Sequence, residues 1–569
     1  MKLRVLLAAA SLAAVAAAPL FSAAVSPAQP TPMQIDRLLA QHIKHIFVIY
    51  QENRSFDAEF GTFPGANGIW SAQARAHGFA QIDPITHRSV TPFRLTDPDV
   101  YYESNARDVQ LQAFDGGKMD RFVAAQGSAV MQEEKSATPA QRFSVGAESM
   151  YHIDCAAIPY LWAYAKRFTL FDNFYQALRG PSTPSNVEII AAQNGLTEYA
   201  RNPKTRAPNA SDPGDPIFVD LDPAFGPYNP AQPPKKTQLN QRYANVLLTM
   251  QRKDVGAVTQ DTGEVREDKA VIAKLNGAAI PWRWYEEGYA TPRHIGLIAH
   301  HLAPQYFGYV VKNRSMVSNM RDVTAFYDDL ALGRLPDRGV FYVKGGSHNT
   351  LGLRPANHDP YVQKHFLGDD DHPGYTDSQI SEAFVASTVS AIARSKYWKD
   401  SAIVITWDDL GGFWDHVTPH NFETCPDGHP CGDGARVPAI VISPYGKTGV
   451  IVHDLNDQDS VIKFVETVFH LPTFASLPDE KRYLPLGPRD GNTLLSNLRG
   501  AFDYGRLAGT KPPLSRDGAI FADRTIHTIP APVGCRSIGV QPAPPPPGTS
   551  DAPPPGFNPR PFEPTPAPQ

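Results

Sequence analysis

The sequence predicts an α/β fold: a mostly parallel central sheet sandwiched by helices, with a capping insertion. Three observations predict it. Short, nearly continuous apolar runs stop abruptly at polar residues: HIFVIY before QENRSFD, RFTLF before Asp172 and Asn173, SAIVITW before DDLGG, and VPAIVIS before Pro444. Such runs read as strands buried on both faces. Segments at helical spacing stand apart from these runs. Ile380, Phe384, Val385, Val389 and Ile392 follow the N-cap candidate Asp377, and Val461, Phe464, Val465, Val468 and Phe469 follow Ser460. Strands alternating with helices make a sheet covered on both sides, with functional residues beyond the carboxyl ends of its strands.

Taken in order, residues 1–28 read as a secretory signal peptide: Lys2 and Arg4, an apolar stretch from Leu6 to Ala18, then small residues with cleavage expected between Ala24 and Ala28. The catalytic domain is expected over residues 36–537, with 196–277, polar and Pro-rich, as an insertion or cap. Residues 538–569, which include PAPPPPG and DAPPPG, are expected to be an exposed, disordered tail. No later stretch is long and apolar enough to span a bilayer, so the mature protein is expected in the periplasm or secreted, without stable membrane insertion. Four cysteines suit that compartment. Cys425 with Cys431 and Cys155 with Cys535 are one pairing of the three that four cysteines allow.

The chain is 569 residues long. Its 53 Lys+Arg against 58 Asp+Glu give a net charge of −5, which argues against a general nucleic-acid binder. The 42% hydrophobic content is ample for a large core, and 54 prolines predict many loops.

Chemistry gathers where the strands end. Glu52 and Asn53 follow one apolar run, and Asp408 and Asp409 follow another. Carboxylate and amide oxygens are hard ligands, so the four together suit a divalent cation: Ca²⁺, Mg²⁺ or Mn²⁺ rather than Zn²⁺. Ser182 and Thr183 sit on a Gly-Pro turn, where a nearby cation would make a hydroxyl nucleophilic. Read alone, the same turn is an ordinary helix N-cap. His300 and His301, side by side, together with His372 and His416, are candidates to donate to a phosphoryl oxygen, protonate a leaving group or ligate metal.

These segments resemble those of the bacterial phosphoesterase family of acid phosphatases and phospholipases C, which has the alkaline-phosphatase-like fold. The likeness runs through QENRSFDAEFGTFPGANGI, FDGGKMDRF, IPYLWAYAKRFTLFDNFYQ, GPST, WRWYEEG, HHLAPQYF, DHP, TWDDLGGFWDHV, RVPAIVISPY and DSVIKFVE, in that order. The resemblance implies that Glu52, Asn53, Asp408 and Asp409 form the metal and phosphate site, with Ser182 as nucleophile. A one-residue slip would make Thr183 the nucleophile instead. His300, His301 and His372 match phosphate-facing histidines, and His416 matches an Asp-His step after the glycines. Three departures stand out: Ser185 where many relatives have Asn, no histidine between His87 and His152, and Asp409 where Glu is frequent.

The expected activity is that of an acid-phosphatase-like phosphomonoesterase working through a phosphoserine intermediate. The alternative is a phospholipase C, commonly carrying further C-terminal β-domains. A Ser at the nucleophile position points to the phosphatase. A sulfatase would need Arg where Asn186 stands, and a non-catalytic binding protein would not need every ligand type intact.

Overall fold

The structure is a computed structural model. It describes residues 30–96, 99–101, 103–193, 220, 256–259, 264–267, 280–291, 294–306, 310, 314–425, 428–476 and 488–562. The expected signal peptide lies outside the described residues, as does the insertion apart from residue 220 and a short hairpin, Gly256–Thr259 with Glu264–Glu267.

The central sheet has eight strands: β1 (His45–Gln51), β2 (Thr169–Phe171), β3 (Trp282–Glu286), β4 (Met320–Asp322), β5 (Gly339–Lys344), β6 (Ser401–Trp407), β7 (Ala439–Ile442) and β8 (Val450–Val452). Their spatial order is β4-β3-β5-β1-β6-β7-β2-β8. The strands pair in parallel except at β7, which runs antiparallel to both β6 and β2. Among its described residues the chain between β6 and β7 contains no crossover helix, and it returns from the functional end, so β7 runs back.

Every residue of β1, β5 and β6 is buried, as the unbroken apolar runs require. Alternate side chains of β1 identify the two covering layers. Phe47 meets Phe326 on α4 (Val323–Ala331), with ring centroids 6.1 Å apart. Gln51, on the same face, donates to Ser381 Oγ on α5 (Ser378–Arg394) at 2.7 Å. Tyr50 points the other way and donates to the Ser185 carbonyl of α3 (Ser182–Ala191) at 3.2 Å. On that side α6 (Asp459–Phe469) packs against α3 and against α1 (Pro32–His42), while α2 (Pro159–Arg167) joins α5.

The helix boundaries follow from local chemistry. Asp377 caps α5 by accepting the Gln379 N–H, and Thr31 with Gln34 forms a capping box before Pro32 at the start of α1.

The Pro-rich segment differs from expectation. Residues 538–562 lie along the body instead of trailing away. The Ala543 N–H donates to the Thr62 carbonyl at 2.8 Å, and the Trp70 indole donates to the Ala543 carbonyl at 2.9 Å. His152 Nε2 lies 2.8 Å from Asp551 Oδ1, and Phe557 packs edge-on against Phe93. Proline forbids helix and ladder, but it leaves carbonyls exposed for neighbours to bond. Cys155 and Cys535 form a disulfide just before this segment, and Cys425 is disulfide-bonded as well.

Candidate active site

Three parallel strands deliver the site. β1 pairs with β6 so that Gln51 stands opposite Trp407, and with β5 so that Tyr50 stands opposite Lys344. The next residues, Glu52, Asn53, Asp408 and Asp409, therefore emerge side by side at the carboxyl edge. The Asn53 N–H donates to Asp408 Oδ1 at 3.0 Å, a bond across 355 positions of sequence. Asn53 takes a left-handed backbone (φ 53°), which asparagine tolerates better than most residues. Gly411 makes this approach possible: at φ +66°, an added Cβ would lie 2.4 Å from the Asn53 carbonyl oxygen.

Ser182 opens helix α3. Its Oγ lies 3.2 Å from Asp409 Oδ2 and 3.3 Å from Asn53 Oδ1, and its single proton serves one acceptor at a time. The Asn105 amide donates to the same Asp409 oxygen at 3.0 Å. Thr183 directs its backbone N–H to Asp220 Oδ1 at 2.8 Å.

Glu52, Asn53, Asp408, Asp409, Ser182 and His301 are all about 1% exposed or less. Burial, then the adjacent Asp408 charge, pushes both Glu52 and Asp409 upward from the usual carboxylate range. Lys344, fully buried, is bonded to Glu52; burial opposes its charge, but Glu52 and Asp408 together hold it above the ordinary lysine value. Lys344 thus faces Glu52 and Asp408, and the hard oxygens of Glu52, Asn53, Asp408 and Asp409, gathered in a buried site that disfavours bare carboxylate charge, fit a divalent cation.

His301 fits the same picture. Neither ring nitrogen makes a hydrogen bond among the described residues, and Nε2 lies 3.4 Å from Glu52 Oε2. Burial, with help from His300, keeps it well below the usual histidine value, so it is neutral. The His300 ring stands edge-on to it, 4.4 Å away. Burial also takes His372 down to about 3. Its Nδ1 lies 2.6 Å from the Pro373 carbonyl, which requires the proton on Nδ1 and the lone pair on Nε2.

His416 lies elsewhere. Its Nδ1 is 2.6 Å from Asp57 Oδ2 and its Nε2 is 3.1 Å from Asn67 Oδ1, in a buried network with Asp415 and Arg436. Asp57, Asp415 and His416 offer ligand atoms within 4.8 Å of one another, but both carboxylates are already ion-paired with Arg436. The predicted quartet does not form so tight a group, because Glu52 leans to Lys344 and Asp409 to Ser182.

Sequence reasoning missed Lys344, Asn105 and Asp220. Lys344 had a signal, as the polar end of the apolar run GVFYV; the other two had none.

Behind α3, Arg489 joins Glu188 at 2.9 Å to Asp459 at 3.1 Å and so pins the nucleophile's helix to α6. Asp457 shares this pocket; burial, then the Asp433 charge, pushes it up to about 8. A carboxyl raised on folding contributes stability that is present at low pH and is lost as pH climbs through about 8. Asp457→Asn is therefore expected to gain stability over the natural protein between pH 5 and 9, read as Tm against pH. Parallel curves for the two proteins would refute the assignment.

Residues 43–472 match the phosphoesterase family, and the chain belongs to that family: it is a hydrolase acting on phosphoric esters. Phospholipase C A of Mycobacterium tuberculosis is 25% identical over 510 residues, covering 83% of this chain and 80% of that protein. Hemolytic phospholipase C of Pseudomonas aeruginosa is 23% identical, covering 75% of this chain and 53% of that protein. Non-specific phospholipase C6 of Arabidopsis thaliana is 33% identical, covering 72% and 64%. Among solved structures, a protein in the alkaline phosphatase superfamily from Vibrio parahaemolyticus covers 87% of this chain at 9% identity and a TM-score of 0.29.

Proposed function

We propose that the protein is an exported, metal-dependent phosphomonoesterase in which Ser182 is the nucleophile. One observation carries the reading: the Ser182 hydroxyl lies within hydrogen-bond reach of both Asp409 and Asn53, at the first turn of a ten-residue helix. That helix start favours a phosphoryl group electrostatically.

Glu52, Asn53, Asp408 and Asp409 would hold the divalent cation, which supplies a lowered pKa for the nearby hydroxyl and neutralises charge on the phosphoryl oxygens. Oriented by Asp409 and Asn53, Ser182 gives its proton to Asp409 Oδ2 as its oxygen attacks phosphorus in line. The P–O bond to the leaving group breaks, and its electron pair goes to the leaving oxygen. His300, partly exposed beside the site, is placed to protonate that oxygen. His301 and His372, both neutral, face the site: His301 offers its unbonded nitrogens, and His372 offers the Nε2 lone pair set by Pro373. Water then cleaves the phosphoseryl intermediate, restoring the hydroxyl and releasing phosphate.

Phospholipase C activity is the second reading, favoured by the names of the relatives. Residues 1–28 would direct export; among the described residues no helix is long and apolar enough to cross a membrane.

A substrate panel tests the proposal: a chromogenic phosphomonoester, a phosphocholine diester and an aryl sulfate, each with chelated and metal-restored protein. The phosphomonoester is expected to be turned over fastest, and chelation to abolish turnover until Ca²⁺, Mg²⁺ or Mn²⁺ is returned. Preference for the diester would establish the phospholipase reading, and full activity after chelation would remove the cation from the mechanism.

A further inference from the structure

The docked Pro-rich segment reaches the neighbourhood of the active site, and the route can be followed residue by residue. Its root is fixed by the Cys155–Cys535 disulfide. Beyond that, the Arg94 N–H donates to the Asp551 carbonyl at 3.0 Å, and the Asp551 carboxylate meets His152. The Asn558 N–H donates to Ser144 Oγ at 3.0 Å, and the Gln141 side chain donates to the Pro561 carbonyl at 3.0 Å. At the far end Phe562 packs on Tyr101, with ring centroids 5.5 Å apart. Beside that ring pair, Glu148 Oε1 accepts the Tyr101 N–H at 2.9 Å.

Tyr101 belongs to a stretch that lies across two loops of the site. The neighbouring Val100 carbonyl accepts the Gly374 N–H at 2.9 Å, two residues from His372. Ser104 exchanges two bonds with Gln126, of 2.9 and 2.8 Å, and Gln126 also reaches the Gly412 carbonyl at 3.4 Å. Asn105 then donates to Asp409 Oδ2, the oxygen that also meets Ser182 Oγ. Both ends of the stretch thus bear on catalytic loops, and its outer side is met by Phe562.

We propose that the Pro-rich segment is a working part of the active centre: Phe562 is a positioning residue that clamps the stretch beginning at Tyr101 and so holds the Asn105 amide on Asp409. This rests on the reading of Ser182 and Asp409 given above. The segment acts as a strap, because its holding contacts are many and spread from Ala543 to Phe562, while its last ring contact, Phe562 on Tyr101, falls on a stretch that reaches the nucleophile's partner.

The test uses the full chain with Phe562→Ala, in the natural background and with Asn105→Ala. Four quantities are read: kcat and KM on an aryl phosphate, Tm, and amide hydrogen exchange over residues 99–105. The change is expected to lower kcat about tenfold with KM little altered, since a small misplacement of a catalytic group is costly. Exchange over 99–105 should rise while Tm shifts little, and Phe562→Tyr should retain activity. In the Asn105→Ala background the same substitution should cost nothing further, because the clamp would have no amide left to position. An equal kcat loss in both backgrounds, or unchanged exchange over 99–105, overturns the proposal. An inactive natural protein whose exchange still rises in the variant would instead fault the phosphomonoesterase reading and leave the clamp standing. The two failures are therefore distinguishable.

Discussion

Ser182→Ala is expected to lower turnover of a phosphomonoester by on the order of a thousandfold or more, with the fold and the cation content intact. The substitution removes one oxygen from a side chain that is 1% exposed. It leaves the backbone of α3 undisturbed, and the Asn186 amide still bonds the residue 182 carbonyl at 2.8 Å. Alanine is also the better helix former, so stability should change by less than about 1 kcal/mol. Thr183→Ala is the matched control. Thr183 keeps its backbone bond to Asp220 without its hydroxyl, so near-natural turnover is expected. Single-turnover kinetics and metal analysis on both variants decide the matter. Retained activity in Ser182→Ala would remove that hydroxyl from the chemistry, and loss in Thr183→Ala alone would move the nucleophile by one residue.

Lys344→Met carries the second large effect, this time on stability. The ammonium is fully buried, bonded to Glu52, and 4.6 Å from the centre of the Tyr50 ring. Methionine fills nearly the same volume without the charge, so the loss is electrostatic rather than a cavity. Glu52 would be left facing Asp408 with no counter-charge, and stranding a buried ion costs about 3–5 kcal/mol. The metal-free variant is therefore expected to melt well below the metal-free natural protein. A divalent cation should recover part of the difference, by binding the folded state and supplying the missing positive charge. Equal melting of the two metal-free proteins would show that Lys344 does not balance Glu52.

Much of the site was legible because it sits where buried strands end. Glu52, Asn53, Asp408 and Asp409 each follow an apolar run, and two such strands in parallel register must place their trailing residues together. What burial cannot reveal is direction: AIVI of β7 is as apolar as its neighbours, yet it runs antiparallel. Lys344 escaped notice because a lysine after a strand is ordinarily solvated, and only the strand order shows that it faces Glu52. Asn105 was invisible because its role depends on a long-range loop contact without periodicity. His416 carries the motif's histidine but lies in the Asp57–Arg436 network. The Pro-rich segment was misjudged for a related reason. Composition measures the ability to build a core, whereas this segment is held by its carbonyls and a few aromatic rings on a core that others build.

The bond from Asn53 to Asp408 spans most of the folded chain. Ser182 and Asp409 are 227 positions apart, and Lys344 and Glu52 are 292 apart. No fragment shorter than the span from Glu52 to Asp409 therefore contains the whole centre, which assembles only when β5 and β6 have both paired with β1. Activity in this protein is a collective property: as urea rises, hydrolysis should be lost no later than the tertiary order of the sheet, and activity outlasting that order would refute it.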